Sequence, residues 1–211
     1  MKGFSKSIAY RFHPIWKMKN QIGKGKLNEK LEENVELPSN QFYEPPVNTE
    51  KCKKRSKKHK KTETGISRLG ILKHLQFTKD FIGVYAEDQL SNLSITTFPS
   101  SLIINLDPSH MRGSHWLAIR ISRSSLEIFD PLGFQILSWP RIPCHLLNFL
   151  RRWSKHRKPF ISPVIQSQSS VLCGFYCIAF ILCRHVVSFN EFLKFFKTPE
   201  ENDYLLINVF S

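Results

Sequence analysis

Long apolar runs are absent from this sequence. The longest nearly uncharged apolar stretch, Val171 to Cys183, is about 13 residues and contains a glycine, whereas a membrane-spanning helix needs roughly 20 residues. The first residues, MKGFSKSIAYRFHPIWK, also lack the apolar centre of a secretory signal. We therefore expect no membrane segment.

Cysteine is scarce as well. The chain has five cysteines in 211 residues, at positions 52, 144, 173, 177 and 183. An odd number in a chain without a secretory signal argues against a disulfide framework. We expect the protein to work in a reducing compartment.

Acidic residues are outnumbered: 17 Asp and Glu face 31 Lys and Arg, which gives a formal net charge of +14. Residues 1–61 hold 16 of these basic residues and only six acidic ones, and the stretch 51–61, KCKKRSKKHKK, contains no acid. Such a tract is typical of a nuclear localisation signal, of a non-specific nucleic-acid tether or of a solubilising tail. We predict DNA contacts there, without base specificity, at Lys53, Lys54, Arg55, Lys57 and Lys58.

A change in composition and apolar periodicity divides the chain into two parts. Residues 1–63 lack apolar periodicity and are rich in Lys, Asn, Glu, Ser and Pro, so they are predicted to form a largely disordered arm. Residues 64–211 are predicted to be the folded domain, which begins with an amphipathic helix that carries Ile66, Leu69, Leu72 and Leu75.

The folded part mixes strands and helices and is predicted to be α+β. Apolar β-forming segments at 80–86 and 101–106 predict strands, and 115–121 with 126–130 predicts a β-hairpin. Helices are predicted at 142–153, 173–187 and 189–196, the last with Ser188 and Glu191 as a capping box. The first of these helices ends in a second basic patch, which offers further DNA contacts at Arg151, Arg152 and Lys155, followed by Arg157 and Lys158. A solvated helix end explains this patch equally well.

The hairpin can bring a histidine and a carboxylate together. A turn centred between Ser122 and Arg123 would place His115 directly opposite Asp130, with Cβ atoms about 5 Å apart. The carboxylate would then fix the tautomer of the imidazole and favour its protonated form. The alternative is that both are surface residues at strand ends.

Cys173 is predicted to start a buried helix, after the polar stretch IQSQSS. A helix N-terminus lowers the pKa of a thiol and offers backbone N–H groups to an oxyanion. Gln166 or Gln168 could add a side-chain amide donor. Cys173 could instead be a buried structural cysteine, as Cys177 and Cys183 are expected to be, whereas a zinc site made of these cysteines and His185 lacks a known ligand spacing.

These residues resemble a known family when they are taken together. The segments HW at 115–116, FDPLGF at 129–134 and QSQSSVLCGFYC at 166–177, with RLGILKHL and FIGVY upstream, are similar to the adenovirus protease (adenain) family over about residues 66–211. The resemblance implies a papain-like cysteine protease with a central mixed sheet and a buried helix that starts at the nucleophile. It assigns the base to His115, the orienting acid to Asp130, the oxyanion donor to Gln166 and the nucleophile to Cys173.

The resemblance also implies partners. Relatives occur in adenoviruses and in Polinton (Maverick) transposons, so the expected substrates are precursor proteins of a capsid or core, and the expected location is the host nucleus or the virion. No obligatory cofactor is expected, and stimulation by DNA fits the basic segments. The resembled family is also activated by a peptide that is disulfide-linked to a cysteine. This chain has Lys155 at the matching position, so we do not expect that activation here. We expect a monomer. The alternatives are a SUMO- or ubiquitin-like protein protease, and a basic DNA-binding virion protein on a protease fold.

Overall fold

The structure is a computed structural model that describes residues 65–133 and 142–210. The predicted arm and its basic tract, with Cys52 and the five predicted DNA contacts from Lys53 to Lys58, lie outside the described residues. No helix in the described ranges is long and apolar enough to cross a membrane.

The described chain contains five strands, five α-helices and one 3₁₀ helix at Glu87–Asn92. In chain order they are α1 (Arg68–Leu75), β1 (Phe81–Ala86), β2 (Ser100–Asn105), β3 (Trp116–Ile121), β4 (Ser125–Phe129), α2 (Cys144–Ser154), β5 (Lys158–Ile161), α3 (Cys173–Cys183), α4 (Phe189–Leu193) and α5 (Pro199–Phe210).

The strands form one mixed sheet in the order β1-β2-β3-β4-β5. The central pairs β2–β3 and β3–β4 are antiparallel, and the outer pairs β1–β2 and β4–β5 are parallel. The predicted α+β class with a mixed central sheet is confirmed.

Two apolar layers cover the two faces of the sheet, because side chains alternate between faces along each strand. Ile103, Ala118 and Phe129 pack with α1, α3 and the C-terminal helices on one face. Leu102, Leu117 and Ile119 belong to the other layer, which α2 and the 3₁₀ helix cover with residues that include Leu90, Leu146, Phe149 and Leu150. The sheet is therefore buried on both sides, and α3 lies in the middle of the larger layer.

Several elements differ from the sequence prediction. The basic segment after α2 contributes Lys158 to strand β5, which pairs in parallel with β4, so it does not extend a helix. The buried helix ends at Cys183 and not at Val187. Helix α5 was not predicted, although Pro199 at its first position and Glu200 and Glu201 in its first turn are helix-start signals.

The predicted register of the hairpin is wrong. Ile121 pairs with Leu126 and Ala118 with Phe129, so the turn is centred one residue later than predicted, and Ser122, Ser124 and Ser125 hydrogen-bond to one another within it. The shift places Asp130 opposite Leu117 when the register is extended. His115 is then a diagonal neighbour on the same face, which remains within reach of long side chains.

Buried charges attach the C-terminal end of α3 to the sheet. Arg184 forms a bidentate pair with Glu127 of β4, at 2.6 and 2.8 Å, and both side chains are almost fully buried. Next to it, Asp80 pairs with His185 at 2.8 Å and with Arg120 at 3.3 Å. This end of α3 is therefore fixed by charge, while its apolar length is fixed by packing.

We predict that Glu127→Gln destabilises the fold by about 3 kcal/mol, because a buried guanidinium loses its charged partner. Urea unfolding followed by fluorescence measures the change. Arg123→Gln, at the exposed tip of the same hairpin, is the matched control and should shift the free energy of unfolding by less than about 0.5 kcal/mol. Equal effects of the two variants would contradict this assignment.

Candidate active site

His115 and Asp130 form a buried pair at the end of the β3–β4 hairpin. The imidazole Nε2 lies 2.7 Å from Asp130 Oδ1, and the residues are 7% and 1% exposed. Because Nε2 is engaged by the carboxylate, Nδ1 is the ring nitrogen left for another group. The two residues are thus in contact, as predicted, although by a diagonal and not a direct pairing.

Asp130 is held from several sides. Its backbone N–H donates to Ser162 Oγ at 2.8 Å, and the same hydroxyl donates back to the Asp130 carbonyl at 2.7 Å. Its Oδ1 also accepts from the backbone N–H of Leu132 at 2.9 Å. Ser162, which follows β5, was missed by the sequence analysis, because a serine before a proline indicates only a turn. This network fixes the carboxylate that orients His115.

Cys173 is the first residue of α3, and its side chain lies close enough to His115 to interact with the imidazole electrostatically. The residue before it, Leu172, has an apolar side chain that caps no N–H group, and its carbonyl accepts from the N–H of Phe175 at 2.8 Å. The N–H groups of Cys173 and Gly174, at the very start of the helix, have no partner within it. The N-terminal dipole of an 11-residue helix favours negative charge there. The structure therefore joins thiol, imidazole and carboxylate in one buried cluster.

The ionisation of His115 depends on these neighbours. Burial alone would lower its pKa, but hydrogen bonds and charge from Asp130 and Cys173 outweigh burial and raise the pKa from 6.5 to about 9. At neutral pH the ring is therefore an imidazolium. A cysteine beside an imidazolium and a helix N-terminus is chemically suited to be a thiolate nucleophile.

Of the two glutamines considered, Gln166 is buried and Gln168 is exposed. Backbone N–H groups of Ile165 and Gln166 both donate to the carbonyl of Pro131 at 2.9 Å, so the glutamine loop is attached to the segment that directly follows Asp130. The Gln166 side chain donates through Nε2 to the Ser170 carbonyl at 2.8 Å. Within the described residues, Nε2 makes no second hydrogen bond.

Two glycines permit close approaches around the site. A Cβ on Gly174 would come within 2.3 Å of the Ile66 side chain and 3.2 Å of the Trp116 indole. Glycine at 174 therefore lets the segment before α1 and the start of β3 approach the head of α3. At Gly133, φ is +78° and a Cβ would meet the Val164 side chain at 2.5 Å. These contacts give a physical reason for glycine in the segments FDPLGF and CGFYC.

Some cations of the second basic patch make contacts within the protein. Arg157 donates to the Ser122 carbonyl at 2.7 Å and stacks over Phe98 and Trp153, and Arg152 donates to the Leu93 carbonyl at 3.1 Å. Lys155 is exposed. The patch therefore combines cations with structural contacts, Arg152 and Arg157, and the exposed Lys155.

The other described thiols differ from Cys173. Burial raises the pKa of Cys177 well above its usual value and that of Cys183 to about 12, so both are protonated at neutral pH, and Cys144 is exposed.

Within residues 65–133 and 142–210, no group of three or more His, Cys, Asp and Glu residues is arranged to hold a metal ion.

We predict that stability falls as pH rises above 6.5. The folded pKa of His115, about 9, exceeds the reference value of 6.5, so its contribution is fully present below pH 6.5 and is lost as pH rises through 9, up to about 3 kcal/mol in total. Urea unfolding between pH 6 and 8 measures this slope in a chain carrying Cys173→Ser, because a proton lost by Cys173 on folding would offset the proton that His115 gains. Asp130 keeps the direction of the slope in that chain, and its total is smaller because the Cys173 contribution is absent. His115→Gln should flatten it, and an equal slope in that variant would contradict the assignment.

Comparison with known proteins gives two viral relatives. No family model matches the chain. A protease of Bovine adenovirus 7 is 26% identical over 133 residues, which is 58% of this chain and 64% of the relative. A protease of Ovine adenovirus D serotype 7 is 26% identical over 131 residues, 58% of this chain and 65% of the relative. The chain thus spans just under two thirds of the length of these curated relatives, and it is related by sequence to the adenovirus proteases.

Proposed function

We propose that this chain is a cysteine endopeptidase of the adenain type, with a papain-like fold, that cleaves precursor proteins of a virus or virus-like element. The observation that carries the proposal is the buried Cys173–His115–Asp130 cluster at the head of α3. The similarity to two adenovirus proteases supports the same activity.

In the proposed mechanism the resting site is a thiolate–imidazolium pair. The Cys173 sulfur attacks the carbonyl carbon of the scissile peptide bond, and the carbonyl electron pair moves to oxygen. One donor for that oxyanion is the Gln166 Nε2 hydrogen that Ser170 does not use, and a second is a first-turn N–H of α3. Asp130 holds His115 with Nδ1 towards the sulfur throughout.

Collapse of this intermediate breaks the C–N bond and leaves a thioester on Cys173. His115 gives its proton to the departing amine, and as a neutral ring it then takes a proton from the water that hydrolyses the thioester. Each step uses the same imidazole, which explains why its orientation is fixed by a buried carboxylate.

We predict that Cys173 is labelled selectively at pH 7 by a peptide vinyl sulfone that ends in glycine. The experiment uses the full chain carrying Cys52→Ser and Cys144→Ser, because Cys144 is exposed, and intact-mass spectrometry follows the adduct. Cys173→Ala should abolish labelling, and His115→Ala should slow it by about 100-fold or more.

Labelling that persists in Cys173→Ala, or that does not depend on His115, would reject the proposed site. Cleavage assays on SUMO and ubiquitin fusions beside a capsid-precursor peptide separate the alternative substrates. Preferential cleavage of the fusions would contradict the viral-precursor assignment and support a SUMO- or ubiquitin-like protein protease.

We also propose that the basic segments bind DNA, and that the protein acts in the host nucleus or the virion. The support is the tract at 51–61 with eight Lys and Arg and no acid, because each phosphate contact releases condensed counterions. Exposed Lys155 adds a further charge beside α2.

We predict that a five-residue alanine variant reduces the slope of log binding constant against log salt by about 4.5, since each lost phosphate contact is worth about 0.9. The variant replaces Lys53, Lys54, Arg55, Lys57 and Lys58. Fluorescence anisotropy with a random-sequence duplex measures the slope. Alanine at Arg151 and Lys155 is the comparison and should reduce the slope by about 2. An unchanged slope in the five-residue variant would show that the tract is no tether.

A further inference from the structure

The loop that carries Gln166 is held by more than its own backbone. Residues 162–172 connect β5 to α3 without a helix or a strand. The position of the Gln166 side-chain amide therefore depends on the contacts that Gln166 and its sequence neighbours make with the rest of the domain. One of these contacts is the pairing of Ile165 and Gln166 with the Pro131 carbonyl. Two more come from the C-terminal helix.

Two consecutive residues of α5 bind the two residues that flank Gln166. Asn202 donates through Nδ2 to the Ile165 carbonyl at 2.8 Å, and Asp203 Oδ2 accepts from the Ser167 hydroxyl at 2.5 Å. Asn202 is itself 2% exposed and is fixed by the backbone N–H of Lys197, which donates to its Oδ1 at 2.7 Å. The loop is therefore clamped on both sides of the glutamine.

The Asp203 carboxylate also contacts the cysteine helix. Its Oδ1 accepts from the Tyr176 hydroxyl at 2.8 Å, and Tyr176 lies one turn after Cys173 on α3. Burial and Asp203 raise the pKa of Tyr176 far above its usual value, so the phenol stays protonated and donates. One carboxylate thus bridges the glutamine loop and the helix that begins at Cys173.

Apolar packing also attaches α5 to the domain. Leu206 and Val209, on the same helix, are buried at 1% and 8% exposure and supply an apolar attachment. Asn202 and Asp203 are instead directed at the neighbours of Gln166 and at the helix of Cys173.

We propose that Asp203 is a positioning residue that sets the distance and orientation of Gln166 relative to Cys173. The inference rests on the proposed function, because it gives Gln166 the oxyanion. The helix Pro199–Phe210 is then a part of the catalytic apparatus that touches no reacting atom.

The test separates thiol reactivity from oxyanion binding in the full chain carrying Cys52→Ser and Cys144→Ser. Iodoacetamide alkylates a thiolate without forming an oxyanion. A peptide aldehyde, acetyl-Gly-Gly-glycinal, adds reversibly: a C–S bond forms, the carbonyl pair moves to oxygen, and the oxygen takes the imidazolium proton. Protection of Cys173 from iodoacetamide by the aldehyde therefore reports the oxyanion site.

The variants are Asp203→Ala and the milder Ser167→Ala, which removes only the contact to the loop. Glu200→Gln, an exposed acid on the same helix, is the matched control. Amide hydrogen exchange at Ile165 and Gln166 is measured alongside, because it reports the hold on the loop whether or not the protein is active.

In both variants we expect exchange at these two amides to rise about tenfold and the aldehyde concentration for half-protection to rise about tenfold, as for a displaced oxyanion donor. Alkylation without aldehyde should stay within about twofold of the parent chain, since His115 and Asp130 are untouched. In a Gln166→Ala background, Asp203→Ala should weaken protection no further, because the two residues act as one unit.

Unchanged exchange in both variants, or an equal loss of protection in the Gln166→Ala background, would overturn the positioning role. A parent chain whose Cys173 the aldehyde does not protect would instead overturn the proposed function. A Glu200→Gln chain that behaves like Asp203→Ala would also overturn the inference, because the effect would then belong to the helix as a whole.

Discussion

Burial of helix α3 against the mixed sheet is the constraint on which the rest of the structure depends. Nine of its eleven residues are buried, so the helix has no solvent face along which it could slide or rotate without loss of packing. Its C-terminal end is tied to β4 by the Arg184–Glu127 pair. Its N-terminal end consequently meets the end of the β3–β4 hairpin at one defined point, and the Cys173 thiol reaches His115 there.

The sequence predicted the parts of the fold that have strong local periodicity. The α+β class, the four strands from β1 to β4, the capping box at Ser188 and the buried helix after Cys173 all follow from patterns over a few residues. Strand β5 did not, because KPFI follows a run of cations and gains its strand conformation from pairing with β4. The hairpin register failed by one residue, since the four-residue turn is closed by serine side chains whose geometry composition does not reveal.

The candidate site was predictable only in its chemistry-bearing residues. The pairing of His115 with Asp130 could be argued from the hairpin, and Cys173 from its place before an apolar helix. The residues that support the site are distant in sequence and carry no local pattern. Ser162 reaches Asp130 from the segment after β5, while Asn202 and Asp203 come from a helix that was not predicted. Gln166 differs from Gln168 in being buried. Burial of a loop residue depends on the tertiary fold, so a local sequence pattern does not predict it.

The path by which the chain enters the fold limits where the basic tract can act. Gly65 lies directly against Val171, at the head of α3, since a Cβ there would come within 2.9 Å of the Val171 carbonyl. Lys61, the end of the tract, is four residues earlier, and four residues of fully extended chain span at most about 14 Å. In the DNA-binding proposal, a polyanion held by Lys61 would therefore lie within about 14 Å of Gly65, close to the head of α3. Its local concentration there is fixed by the length of the chain and not by its affinity for the folded domain.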